Sequence, residues 1–454
     1  MIETNSPSPF NIPNIRRFIA YRIFFNARFY YPVFTIIFLD FGLSLEQFAI
    51  LNAVWAATIV LLEVPSGALA DTIGRKNLIV ASAVIMILEV GLICVAPTGG
   101  HPIVFYLFLV NRILSGTAEA AASGADEALA YDSLKRDGDE SQWSLVIESQ
   151  MKWQSLAFVI AMSTGAFLYD ANTVNQFLAF IGIDFTLSKD LAMRLPLILT
   201  LILSFLALKT ALSMTEPEEE VAPEEGPQSL KQCSQTLSAS FKKTLQAGAW
   251  ILRTPAAFLV ILAGLLFDHA ARMVVTLNSQ YYRQIELPEA SFGLISSALA
   301  LMGVFIPRFA KKLVEKQSQT FNFIFLGVVT LVAFVTMTLF IPYWGALSMA
   351  LLYGCFFLTG FFVSHYLNQV TSSEMRATVL SFKGLAYNLG YGAIGLLYAR
   401  LVTTFRNQAA DTTPSDILEP QLFERAMQWF PGYFVVLFIA TFAIGIYMTR
   451  RKSS

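Results

Sequence analysis

The chain has 454 residues, of which 55% are hydrophobic and 14% are charged. Because soluble globular proteins contain about 25% charged residues, this composition excludes an ordinary water-soluble domain. The formal net charge of −1 leaves no basic excess, so the sequence gives no indication of nucleic-acid binding.

The apolar residues occur in runs that match the hydrocarbon core of a bilayer. A membrane-spanning helix needs about 20 predominantly apolar residues, and a stretch such as FPGYFVVLFIATFAIGIYM meets that requirement. Membrane β-strands would be about 10 residues long and would alternate strictly. We therefore predict an all-α membrane protein with twelve transmembrane helices. They cover roughly 15–40, 47–70, 78–96, 103–131, 143–169, 190–213, 256–283, 289–312, 319–341, 344–368, 376–404 and 426–449.

The lysines and arginines of the short loops fall on one side of this layout. Arg75 and Lys76 lie in one such loop, and Lys311 and Lys312 lie in another. The opposite short loops DFGLSLE, PTGGH and IPYW contain neither residue type. The positive-inside rule then predicts that both termini are cytoplasmic.

The middle of the chain divides the helices into two groups of six. It begins with MTEPEEEVAPEEGP, an acidic and proline-rich stretch that cannot bury enough apolar area to fold alone. The following segment is amphipathic enough to lie on the membrane surface as a helix. We predict an N-terminal half at 1–213, a cytoplasmic linker with an amphipathic helix at 214–255 and a C-terminal half at 256–454.

The two halves show weak internal similarity. GLSLEQFAILNAVWA around Phe48 resembles ELPEASFGLISSALA around Phe292, and the same offset places Arg28 opposite Arg272. Transporters commonly build two halves around a central binding site from such repeats. The repeat therefore favours a two-half transporter.

The most specific motif is GALADTIGRKN, which follows the second predicted helix. The absence of a side chain at Gly67 allows close helix contact, and Gly74 permits a tight turn. Asp71 and Arg75 are spaced for an ion pair, while Lys76 adds a second charge that anchors the loop inside. An ordinary positively charged loop is the simpler interpretation.

This stretch resembles the G-x-L-a-D-x-x-G-R-K loop of the major facilitator superfamily. It matches that pattern at Gly67, Leu69, Asp71, Gly74, Arg75 and Lys76. In the fourth helix, NRILSGTAEA resembles the family's R-x-x-x-G element at Arg112 and Gly116. Asp132 matches the acidic residue that contacts the loop arginine.

The combination of EVPSGALAD and SGADEALAYDSL also resembles a bacterial subgroup of the family whose substrates are mostly unassigned. The resemblance therefore implies a twelve-helix transporter of a bacterial inner membrane, whose loop latches the two halves in an outward-open state. It also implies that Arg112 is linked to proton coupling. The chain departs from the family pattern in two places: PRFAKKLVEKQ in the second half lacks the Asp and Gly of the loop, and MSTGAFLYD lacks the glycine-rich motif of drug antiporters.

Ionisable residues inside predicted helices are the other functional signal. A charge at bilayer depth costs about 2.5–3.5 kcal/mol and normally faces a cavity or a partner. Arg112, Glu119 and Asp126 recur on one face of the fourth helix at helical spacing. Lys383 is expected to snorkel towards the cytoplasmic surface, and His269 is expected to pack. The candidate substrate or coupling residues are Arg28, Arg112, Glu119, Asp126, Asp268 and Arg272.

These candidates favour a secondary transporter that works by alternating access. Glu119 and Asp126 suit coupling to protons, while Arg28 and Arg272 suit a small organic anion or a siderophore. In a competing interpretation, Asp268 neutralises Arg272 and an acid of the fourth helix neutralises Arg28.

Two other functions stay open, namely a multidrug efflux antiporter for lipophilic compounds and a non-transporting receptor on the same scaffold. The sequence contains no nucleophile arrangement, metal-ligand cluster or phosphate loop. We therefore expect neither an enzyme nor a bound metal or cofactor. The expected partners are a small-molecule substrate, protons and the lipid bilayer, and the protein is expected to be a monomer.

Overall fold

The computed structural model describes residues 8–216, 242, 246, 248–371, 373–409 and 415–451. Within these residues the regular structure is helical. Residues 217–241, which form most of the predicted linker and the start of its amphipathic helix, lie outside the described residues.

Nine helices form the first sequence half. Their bounds are α1 Pro13–Asn26, α2 Phe34–Asp40, α3 Leu45–Ile73, α4 Arg75–Cys94, α5 Ile103–Ala122, α6 Ala125–Asp137, α7 Trp143–Tyr169, α8 Ala171–Phe180 and α9 Lys189–Ser213. Eight helices follow in the described part of the second half. They are α10 Pro255–Thr276, α11 Asn278–Gln284, α12 Ser291–Lys316, α13 Gln319–Met337, α14 Gly345–Val370, α15 Ser373–Ala409, α16 Ser415–Met427 and α17 Trp429–Arg451.

The predicted twelve-helix membrane fold is confirmed. Nine spans in the described chain are long and apolar enough to cross a membrane. The other three predicted spans are also helical: α1 and α2 together form the first, α7 is the fifth and α15 is the eleventh. The protein is therefore a multi-pass integral membrane protein with six spans in each sequence half.

The first span is broken, whereas the sequence predicted one continuous helix. It is interrupted at residues 27–33, where Pro32 has no N–H for the helical ladder and disfavours helical geometry before it. The N–H of Phe29 donates instead to Oγ1 of Thr200 at 3.1 Å. A Cβ at Gly165 would overlap the Phe29 carbonyl oxygen, so glycine lets α7 approach the break. Helices α7 and α9 thus support the interruption.

The internal repeat extends to the helix boundaries. The short helix α2 covers Phe34–Asp40, and the short helix α11 covers Asn278–Gln284. Their first residues and their last residues are separated by the same number of positions. That offset of 244 residues also relates Thr35 to Ser279, and the Thr35 N–H donates to the Ser279 Oγ at 3.0 Å. Equivalent positions of the two sequence halves therefore contact each other.

The fourth span is also divided, which corrects the predicted shared face. Helix α5 ends at Ala122, and α6 begins at Ala125 after Gly124, whose φ of 78° is open to glycine at little cost. The prediction that Arg112 and Asp126 share one helical face is therefore wrong, because the helix is interrupted between them. The two residues lie on separate helices.

The chain forms two compact units whose boundaries differ from the sequence halves. Unit 1 comprises Met1–Pro32 and Thr58–Phe241, and unit 2 comprises Val33–Ala57 and Lys242–Ser454. Helix α2 and the first part of α3 therefore pack with the second sequence half.

Candidate functional site

Arg28 is buried in unit 1 at the break between α1 and α2. Its side chain is 2% exposed and forms an ion pair with Glu89 of α4, which is fully buried. The same guanidinium donates to the hydroxyl of Tyr30 at 2.9 Å. Arg28 is thus neutralised by an acid of the third span, whereas the competing prediction named an acid of the fourth.

The ion pair continues into a buried polar chain. Asn111 Nδ2 donates to the backbone carbonyl of Glu89 at 2.8 Å and to its Oε2 at 3.2 Å. Arg112 Nε then donates to the Asn111 Oδ1 at 2.9 Å. Two predicted candidates, Arg28 and Arg112, are therefore connected through Glu89 and Asn111, neither of which was on the candidate list.

The two predicted acids of the fourth span have different surroundings. Asp126 is 3% exposed, and its Oδ2 lies 2.5 Å from Nε of Arg22 while its Oδ1 accepts the Glu127 N–H at 2.7 Å. Arg22 also pairs with the Glu127 carboxylate at 2.7 Å. Glu119 is partly buried at the end of α5, and the described contacts give it no ion pair.

Arg22 was missed at the sequence level because nothing distinguishes it from its neighbours on the first helix. Its importance comes from position alone, since α1 brings it against the first turn of α6. Asp126 is therefore held by a cation and a backbone amide, whereas Glu119 interacts with Arg28 and Arg22 electrostatically and forms no ion pair among the described residues.

The GALADTIGRKN motif lies within unit 1, and it is largely helical where the sequence predicted a loop: its first seven residues end α3 and Arg75 begins α4. Arg75 forms an ion pair with Asp132 of α6, which is the contact that the family resemblance implied. Glu216, just beyond α9, accepts the backbone N–H groups of Arg75 at 3.0 Å and Lys76 at 2.7 Å. This carboxylate caps the N-terminus of α4, where a negative charge is favoured.

The other motif positions to be placed are Gly74, Gly67 and Asp71. Gly74 has φ of 88°, which requires glycine, and Glu216 lies against it. Gly67 has open space around it among the described residues, so the close helix contact predicted for this glycine is wrong. The side chain of Asp71 lies outside the described residues.

A second polar cluster lies in unit 2. Arg272 donates to Asp268 Oδ1 at 2.9 Å and to Asn388 Oδ1 at 3.0 Å, and its guanidinium carbon is 5.6 Å from the ring centre of Tyr391. The predicted i,i+4 ion pair is therefore present. In contrast to Arg28, the Arg272 side chain is 26% exposed.

Lys383 adds a further positive charge to this group. Its ammonium lies 5.7 Å from the ring centre of Tyr387, and it interacts electrostatically with Asp268 and Arg272. Lys383 is therefore part of the cluster instead of extending to the membrane surface as predicted. We call Asp268, Arg272, Lys383, Tyr387, Asn388 and Tyr391 the Arg272 cluster.

The aromatic side chains of the Arg272 cluster are fixed by close packing. Tyr391 exchanges a hydrogen bond of 3.1 Å with Thr276 and meets Trp55 edge-on at 6.4 Å. The hydroxyl of Tyr387 occupies space that a Cβ at Gly264 would fill. The cluster thus combines two cations, one carboxylate and two oriented rings.

Two arginines of unit 2 hold the loop between α2 and α3. Arg283 contacts both carboxylate oxygens of Asp40, at 2.8 and 2.9 Å, and also pairs with Glu289 at 2.5 Å. We call this group the Arg283 clamp. Such bidentate pairs are strong and geometrically specific.

The second group is built in the same way. Arg406 contacts both oxygens of Glu46, at 2.7 and 3.0 Å, and pairs with Glu419 at 2.5 Å. We call it the Arg406 clamp. Asp40 and Glu46 are the first and last residues of the predicted loop DFGLSLE, whose lack of Lys and Arg gave no sign of these ion pairs.

Comparisons with known proteins place the chain in a family. The family model for the Major Facilitator Superfamily matches residues 18–396. No curated protein matches the chain.

Solved structures with a similar fold are transporters of different kinds. The nucleoside transporter NupG is 15% identical, with a TM-score of 0.68 over 96% of this chain and 99% of that one. A bacterial homologue of the human lysosomal transporter Spinster is 14% identical, with a TM-score of 0.67 over 98% and 97%. The tetrameric PepTSo2 is 12% identical, with a TM-score of 0.59 over 97% and 98%.

Proposed function

Because the chain belongs to the major facilitator superfamily, we propose that it is a proton-coupled secondary transporter of a small organic anion. The family is one of transporters, and the protein has the transporter fold. We propose three further properties: transport by alternating access, an anionic substrate and coupling to protons.

The Arg272 cluster is the observation that supports an anionic substrate. Two cations, Arg272 and Lys383, share the single carboxylate of Asp268, which leaves an excess of positive charge. A guanidinium binds carboxylate or phosphate through paired hydrogen bonds, and 26% of the Arg272 side chain is accessible for such contacts.

Arg28 is the weaker of the two predicted anion-binding residues. Its side chain is 2% exposed, and the Glu89 carboxylate already satisfies its charge. An incoming anion would have to displace a fully buried acid, and separating a buried pair is costly. We therefore assign substrate binding to Arg272 and a structural role to Arg28.

Glu119 is the group that we assign to proton coupling. A coupling carboxylate must exchange its proton during the cycle, and a strong ion pair would oppose that exchange. Asp126 forms a close ion pair with Arg22, whereas Glu119 interacts with Arg28 and Arg22 only electrostatically among the described residues. Glu119→Gln is therefore expected to abolish uphill uptake while sparing exchange.

Uptake into proteoliposomes under an imposed pH gradient tests the substrate class. We expect the protein to accumulate carboxylate-bearing solutes, and Arg272→Gln to weaken their binding about 10- to 100-fold, because a hydrogen bond to a charged group contributes about 1.5–3 kcal/mol. Arg272→Lys should retain part of the affinity.

Arg425→Gln is the matched control, because this exposed arginine in α16 packs over the ring of Phe405, 4.5 Å away, outside the Arg272 cluster. A wild-type preference for cationic dyes would support the drug-efflux alternative and contradict the anion assignment. Solute binding without any uptake would support the receptor alternative.

A further inference from the structure

Unit 2 contains an apolar cavity of about 400 Å³ between α10, α13 and α17. Aromatic and aliphatic side chains form its walls, among them Leu259, Phe267, Phe323, Phe438 and Phe442. A volume of this size lies in the range of ligand-binding pockets. The Arg272 cluster contributes none of the lining residues, so the cavity is separate from the proposed substrate site.

The residues that line the cavity extend from one end of unit 2 to the middle of α10. Its lining includes Pro255 and Gln319, the first residues of α10 and α13, and Met448 near the end of α17. Along α10 it reaches Phe267, which lies about 18 Å further at 1.5 Å per residue. That length is close to one leaflet, since the hydrocarbon core is about 30 Å thick.

Basic residues precede the first lining residues of α10 and α13 in the chain, at the end of the cavity that we take as its mouth. Arg253 is exposed immediately before α10, and Lys316 is exposed at the end of α12, just before Gln319 begins α13. The mouth therefore lies at the end of unit 2 where the short-loop cations Lys311, Lys312 and Lys316 occur. By the positive-inside rule, this end faces the cytoplasmic leaflet.

We propose that the cavity binds an acyl chain of an anionic phospholipid of that leaflet. The apolar walls accommodate the chain, and Arg253 and Lys316 attract the phosphate at the mouth. The polar side chains of Gln319 and Thr320 lie among the residues that line the entrance. Each cation near an anionic headgroup contributes about fivefold in affinity.

Lipid retention by the purified protein tests this proposal. The full chain is delipidated in detergent and incubated with phosphatidylglycerol or phosphatidylcholine, and native mass spectrometry counts the bound lipid. We expect phosphatidylglycerol to be retained preferentially. Arg253→Gln and Lys316→Gln should each lower that preference about fivefold. Lys209→Gln, which removes an exposed cation of unit 1, should leave it unchanged.

Filling the cavity should remove both lipids. A Cβ at Gly445 would lie 3.8 Å from Leu259, an ordinary contact, so Gly445→Leu projects its remaining atoms into the cavity. Ala440→Leu is the matched control because Ala440 is exposed on the same helix outside the lining. If thermal unfolding shows Gly445→Leu to be misfolded, Ala256→Leu at the exposed mouth replaces it.

Wild-type retention in the filled variant would overturn the proposed cavity site. A phosphatidylglycerol preference unaffected by both cation changes would overturn the headgroup assignment. Neither result bears on anion transport, which depends on the Arg272 cluster.

Discussion

At the scale of single residues, the buried pair of Arg28 and Glu89 is expected to matter for folding. Both side chains are at most 2% exposed, and removing one partner of a buried pair costs about 3–5 kcal/mol because it leaves an uncompensated charge. Glu89→Gln should therefore lower the thermal unfolding temperature in detergent strongly, and Arg28→Gln combined with it should recover much of the loss.

Glu127→Gln is the control for that measurement, because the Glu127 side chain is 50% exposed and exposed ion pairs contribute little. If Arg28→Gln alone weakened anion binding without changing the unfolding temperature, Arg28 would instead be a substrate ligand.

At the scale of helices, α2 and the start of α3 are attached to unit 2 by the two clamps. Thr35 in α2 is fully buried, so a cysteine there should react with a membrane-impermeant maleimide only when α2 leaves its neighbours. Arg283→Gln removes the contacts to Asp40 and Glu289 and should speed the labelling of Thr35→Cys about 10- to 100-fold, because each charged hydrogen bond contributes about 1.5–3 kcal/mol.

The labelling background must lack the three native cysteines. Arg136→Gln provides the control, since it breaks an exposed pair with the adjacent Asp137. Equal labelling rates in both variants would mean that the Arg283 clamp does not hold α2.

At the scale of the whole molecule, the distribution of lysine and arginine predicts the orientation in the membrane. Reporter fusions at Gly226 and at Ser454 should both report a cytoplasmic location, since the basic loops lie on that side. An external location for either fusion would contradict the predicted topology and the leaflet assigned to the lipid cavity.

The sequence alone determined the features that depend on local composition. Runs of apolar residues defined twelve spans because each helix must satisfy its own backbone in the bilayer. The ion pair of Asp268 and Arg272 was also predictable, since residues four apart share a helix face. The GALADTIGRKN motif and the matching Asp132 indicated the family from a few residues.

Only the tertiary structure decided which helix faces which. Arg28 and Glu89 are 61 positions apart, and Arg406 and Glu46 are 360 apart. The helical period assigns a side chain to a face of its own helix, but it does not identify the partner across the interface. The break before α2 has the same origin: Pro32 weakens the helix locally, and the packing of Gly165 against the exposed backbone makes the interruption stable.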